Sequence, residues 1–139
     1  MDVIWEAYHE DRRDLHAAVA TLLEHDDPVV REEALSLLLV KWVDVRYRAR
    51  AAIALIDDAD FGVRGRAAIG LASVSSAETR KEDIKLLLRT LRDEEEEVET
   101  RRASYEALLI ITESEHFPIH RRDFDPKKDV DWHWVSQLE

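Results

Sequence analysis

Two short stretches decide the fold: Val30-Arg31-Glu32-Glu33-Ala34-Leu35 and Val63-Arg64-Gly65-Arg66-Ala67-Ala68. Each follows an acidic turn, Asp26-Asp27-Pro28 in the first case and Asp57-Asp58-Ala59-Asp60 in the second. Val30 and Val63 are 33 residues apart, and so are Ala34 and Ala67. A looser third copy, Val98-Glu99-Thr100-Arg101-Arg102-Ala103, begins 35 residues further on, behind Asp93 and the run Glu94 to Glu97. A fixed period of this length marks a supersecondary unit used repeatedly.

The unit is a pair of helices. Leu15, Ala18, Val19, Leu22 and Leu23 follow the i, i+3, i+4, i+7, i+8 spacing of an amphipathic helix, as do Val30, Ala34, Leu37 and Leu38, and Ile84, Leu87, Leu88 and Leu91. No sustained period-2 alternation and no Asn-Gly or Asp-Gly hairpin signal competes with them. A first helix is expected at about 14–25, 45–57 and 79–92, and a second behind each acidic turn. Carboxylates in those turns accept hydrogen bonds from unpaired first-turn N–H groups and favour the positive end of the helix dipole. Asp27 with Arg31, and Asp60 with Arg64, are read as capping and bridging residues of the scaffold. The chain is therefore all-α.

Composition agrees and narrows the function. Of 139 residues, 31 are acidic and 20 are Lys or Arg, a net charge of −11, and only six are Gly or Pro. An apolar fraction of 45% is enough for a core. The negative charge argues against a phosphate-backbone binder, which needs clustered cations. The absence of cysteine excludes disulfides, a thiol nucleophile and Cys-based metal centres. No apolar run approaches a membrane span and no signal peptide is visible, so a cytoplasmic protein without membrane contact is expected.

The Asp-x-x-Val-Arg-x-x-Ala pattern at Asp27 to Leu38 and Asp60 to Leu71 resembles the HEAT repeat. The resemblance covers roughly residues 14–113 as three repeats, about 14–40, 45–74 and 79–113. It implies a short α-solenoid of three HEAT-like helical hairpins, with the second helices lining a concave face. In the third copy Glu99 stands where the pattern has Arg, and the alanine is displaced by one, as in a divergent C-terminal cap. Residues 1–13 are read as an N-terminal capping helix. Residues 114–139 form an extension in which Pro118 and Pro126 preclude one continuous helix and a short last helix falls at about 128–138.

No catalytic, cofactor or metal site is expected. There is no Gly-x-Ser-x-Gly and no P-loop. His116 and His120 have metal-ligand spacing but enclose Pro118 and lack the glutamate of His-Glu-x-x-His. Candidate partner-binding residues come from charge and position instead. Residues 94–113 hold seven acids against two bases, with Glu94, Glu95, Glu96, Glu97 and Glu99 as the densest block. Glu32, Glu33, Arg66 and Arg101, with Ser36, Ile69, Ser73 and Glu106, lie off the apolar stripe of the second helices and are placed towards the groove. Trp132 and Trp134, two residues apart, cannot share a helix face, so one is expected on the last repeat and the other at an interface.

These features point to a protein-binding module for a basic partner, monomeric alone or in a 1:1 heterocomplex. In general character the chain is similar to immunity proteins that neutralise bacterial toxins, those directed at nucleases having acidic surfaces, so a cognate toxin is the most concrete partner. The alternatives are a cytoplasmic scaffold or adaptor, or an enzyme of the HEAT-like bilin-lyase or glycosylase kind. The acidic charge opposes the glycosylase reading, since a DNA groove should be basic.

Overall fold

The computed structural model describes residues 15–113 and 124–139. Those residues form eight α-helices and no strand. The helices are α1 (His16–Thr21), α2 (Pro28–Leu35), α3 (Arg48–Asp57), α4 (Phe61–Val74), α5 (Arg80–Arg92), α6 (Val98–Ile111), α7 (Pro126–Asp129) and α8 (Trp132–Ser136). Turns of 3-10 helix extend α1 over Leu22–Glu24 and precede α3 over Val45–Tyr47. The expected capping helix at 1–13, and His116, His120 and Pro118, lie outside the described residues.

The acidic turns start the second helices as expected. Asp27 accepts the Val29 N–H ahead of α2, where Pro28 fills the first position and needs no partner for a missing N–H. Asp60 accepts the Val63 N–H ahead of α4. Glu97 ahead of α6 makes no side-chain cap, so the third copy departs from the pattern here too.

Helix α4 is the centre of the molecule. It packs against α2 on one side, α6 on the other and α3 within its own hairpin. Three neighbours leave it little solvent face, so Val63, Ala67, Ala68, Leu71 and Val74 are all buried. Small residues make the approach close. A Cβ on Gly70 would meet Leu39 Cδ1 at 2.6 Å and Leu39 Cβ at 3.0 Å. Leu35, Leu37, Leu38 and Leu39 of the first hairpin, Leu55 of α3, Leu87 and Leu91 of α5 and Leu108 of α6 complete one continuous core.

The end of the first hairpin is irregular. Beyond Leu35 the helix widens into a π-turn over Ser36–Lys41. Val43 then takes a left-handed backbone, φ 50°, which a β-branched side chain adopts only under strain. This kink turns the Asp44 N–H onto the Leu38 carbonyl at 2.8 Å and brings Asp44 under α1.

The last helix expected at 128–138 is instead two short helices. Val130 is extended, φ −96° and ψ 130°, and separates α7 from α8. Asp125 caps α7 and Asp131 caps α8, so each starts on its own carboxylate. The segment sits on α6 through aromatic contacts, from Phe124 ahead of α7 and from Trp134 of α8. Tyr105 meets Trp134 edge-on at 6.0 Å between ring centres, lies 6.4 Å from Phe124, and accepts the Asp131 N–H on its hydroxyl.

Candidate functional site: an acidic turn edge and two grooves

Arginines in the second helices fix the three acidic turns side by side. Arg31 holds Asp58 of the next turn through two bonds, 3.0 and 2.9 Å, and donates back to the His25 and Asp26 carbonyls. Arg64 repeats this one hairpin later, gripping Glu96 at 3.0 and 2.7 Å and donating to the Asp58 carbonyl. These paired, forked contacts are the strongest form of side-chain hydrogen bond. Burial pushes the Asp58 carboxyl up. The Arg31 hydrogen bonds, the Asp60 N–H and the charges of Arg31 and Arg64 outweigh that and leave it below its ordinary value.

This ladder splits the acidic block. Glu96 is committed to Arg64, with a side chain 12% exposed, and belongs to the scaffold. Glu94, Glu95 and Glu97 are exposed, and among the described residues none holds a cation within ion-pair distance. Asp26 and Asp27 of the first turn, and Asp57 of the second, are exposed too. Because the turns are fixed in a row, these carboxylates share one edge of the molecule.

The second-helix residues divide between two grooves. Glu32 of α2, Phe61, Gly62, Gly65, Arg66 and Ile69 of α4, and Glu99, Arg102, Ala103 and Glu106 of α6 line a groove of about 300 Å³. Gly62 and Gly65 keep its floor low. Arg66 lies 3.6 Å from Glu32, and Arg102 lies 3.3 Å from Glu99, so its charges are largely balanced internally. Glu33 is half-buried but does not line this groove, and neither do Ser36 and Ser73.

Arg101, expected beside Arg66, is on the other side of α6. Glu99, Arg102, Ala103 and Glu106 follow i, i+3, i+4, i+7 and share a face, whereas two residues is about 200° around a helix. Arg101 instead joins Arg92, Glu94, Pro126, Lys127 and Trp132 around a cavity of about 610 Å³ beneath the C-terminal helices. The two tryptophans point to different places, Trp134 against Tyr105 of α6 and Trp132 on the cavity.

Two buried charge networks escaped the sequence reading. Asp83 is fully buried in α5, where it receives Arg48 from α3 and the Ser75 hydroxyl at 2.6 Å. Its signal was a carboxylate four residues before Leu87 on an otherwise apolar stripe. Asp44 receives His16 Nδ1 at 2.7 Å and two bonds from Arg46, while the His16 ring stacks on Trp42 at 4.0 Å. The Arg46 hydrogen bonds, against a cost of burial and with help from His16, hold the Asp44 carboxyl well below the usual carboxylate range. No local pattern joins His16 to Asp44, which are 28 residues apart.

Among the described residues no group of three or more His, Asp or Glu could hold a metal ion, and no helix is long and apolar enough to cross a membrane. Comparison of the chain with protein-family models, curated proteins and solved structures gives no match.

Proposed function

We propose that the chain is a short HEAT-like α-solenoid that docks a basic protein through its acidic turn edge. In the most concrete form of this reading the partner is a bacterial toxin of the nuclease kind, and the chain is its cytoplasmic immunity protein. One observation carries the proposal. The Arg31–Asp58 and Arg64–Glu96 contacts align the three turns, which lines up the exposed carboxylates of Asp26, Asp57, Glu94, Glu95 and Glu97 beside the capping Asp27. Capping needs about one carboxylate per helix start. The third turn carries five acids from Asp93 to Glu97, more than capping and the ladder use. An acidic row on a rigid support speeds encounter with a basic surface and excludes acidic ones.

The balanced groove lined by Glu32, Arg66 and Glu99 supports a secondary role, as a place where a partner's side chains settle beside Phe61 and Ile69. Trp132 and Arg101 are removed from that contact and belong to the separate cavity.

The test is a reconstituted complex. A partner captured from the source cell is purified and titrated calorimetrically at low and high salt. The expected result is a 1:1 complex that weakens with salt, and a Glu94→Lys/Glu95→Lys/Glu97→Lys variant that binds about tenfold or more weakly. Affinity indifferent to both salt and charge reversal contradicts the proposal. Inhibition of a nuclease activity by the bound chain separates the immunity reading from a scaffold or adaptor role.

A further inference from the structure

The cavity beneath the C-terminal helices is built against the charge of the rest of the molecule. Seven arginines among the described residues are half-buried, and six of them have a carboxylate within ion-pair distance. The exception is Arg101. Its Nε donates to the Leu91 carbonyl at 2.8 Å, which anchors the guanidinium and leaves the terminal amino groups as donors. Lys127, on the same cavity, also has no carboxylate within ion-pair distance among the described residues, although Glu94 is on the rim. In a chain with 31 acids, two such cations on one concavity form a local positive site.

Trp132 and Pro126 also line the cavity, and the Trp132 indole N–H is already bonded to the Pro126 carbonyl at 2.8 Å. With its one donor used and its orientation fixed, Trp132 offers the cavity its ring surface. A volume of about 610 Å³ suits a ligand of mononucleotide size.

We propose that this cavity binds a small organic anion: a flat ring stacked on Trp132 that carries a phosphate or carboxylate held by Arg101 and Lys127. Arg101 supplies the forked donors that match an oxyanion, and Lys127 adds a point charge. Arg92 is engaged by Glu139 and frames the mouth. This site meets the acidic edge at Glu94, and its charge preference is the reverse of that edge.

The probes are AMP, benzoate, adenosine and inorganic phosphate, titrated into the full chain and followed by the indole N–H signal of Trp132 in nitrogen–proton correlation spectra. That signal is assigned by its loss in Trp132→Phe. A saturable shift with AMP assigns a phosphate ligand, and one with benzoate a carboxylate ligand, while adenosine and inorganic phosphate, each lacking one half of the recognition, bind at least about tenfold more weakly. Lys127→Ala, at an exposed position, is expected to weaken binding several-fold with no change in melting temperature. Glu94→Gln is expected to strengthen it by removing a competing carboxylate. Arg89→Gln, an exposed cation elsewhere on α5, leaves it unchanged. No saturable response to AMP or benzoate overturns the proposal, and so does saturable binding that Lys127→Ala and Arg101→Gln leave intact in variants with parental spectra.

Discussion

Arg31, Arg64 and Glu99 stand one residue after Val30, Val63 and Val98 in the three second helices, yet only two of them are arginines. Arg31 and Arg64 reach forward to the next acidic turn, to Asp58 and to Glu96. Behind α6 there is no further acidic turn of this kind among the described residues; α7 and α8 follow instead. Glu99 lies on Arg102 of its own helix, a half-exposed i, i+3 pair. The link back to α4 is made by Thr100, whose hydroxyl donates to the Phe61 carbonyl at 3.0 Å. The same position is thus a structural tie where another hairpin follows and a surface residue where the stack ends. Seven residues after Val30, Val63 and Val98 the contrast recurs as Leu37, Gly70 and Tyr105. Gly70 makes room for Leu39 of the preceding hairpin, whereas Tyr105 receives the aromatic C-terminal extension.

The largest way to break this contrast is to cut the forward tie. Arg64→Ala leaves Glu96 and the Asp58 carbonyl without their donor, and about 3 kcal/mol is expected to be lost, read as a lower urea midpoint. Arg31→Ala is expected to behave alike, and a double-mutant cycle of Arg64→Ala with Glu96→Ala should return most of the loss as coupling. Gly70→Ala comes next. The added methyl forces Leu39 out of place and should cost about 1–3 kcal/mol, with the same methyl tolerated at Gly65, where the nearest atom is 3.4 Å away.

The opposite end of the stack sharpens the comparison through pH. The first hairpin closes on Asp44, with His16 and Arg46, where the third closes on aromatics. The Asp44 carboxyl is held below its ordinary value of 3.8, so its contribution is present above that pH and is lost as pH falls beneath it. Asp44→Asn is expected to cost about 1–2 kcal/mol at pH 7, since the Arg46 side is open to solvent, and the gap to the parent should narrow below pH 3.8. The smallest effect is at Glu99. Glu99→Ala should stay within about 0.5 kcal/mol of the parent, in contrast to Arg64→Ala. A loss equal to that of Arg64→Ala would show that the third position is a tie after all.

Much of this was legible in the sequence. Helix pairs, their boundaries and the capping roles of Asp27 and Asp60 follow from periodicity and local hydrogen bonding, which act within a few residues. The forward reach of Arg31 and Arg64 was legible as a repeat with a scaffold role, though not as specific partners, because Asp58 and Glu96 are 27 and 32 residues away. The acidic block was visible as charge, but its division was not. Composition gives Glu94, Glu95, Glu96 and Glu97 the same weight, and only the fold commits Glu96 to Arg64. Arg101 was misplaced because the facing of a helix side chain depends on which neighbours the helix meets on each side. The break between α7 and α8 at Val130 carries no Gly or Pro at that residue to mark it.

The division of the third turn is the centre of this account, and a comparison of two variants tests it most directly. Urea unfolding of Glu96→Gln is set against that of the triple variant Glu94→Gln/Glu95→Gln/Glu97→Gln. If Glu96 is structural and the other three form a docking surface, the single change lowers the midpoint by the equivalent of about 1–3 kcal/mol. The triple change leaves it unaltered or raises it by relieving repulsion. A triple variant that loses as much stability as Glu96→Gln, or a Glu96→Gln variant as stable as the parent, contradicts it.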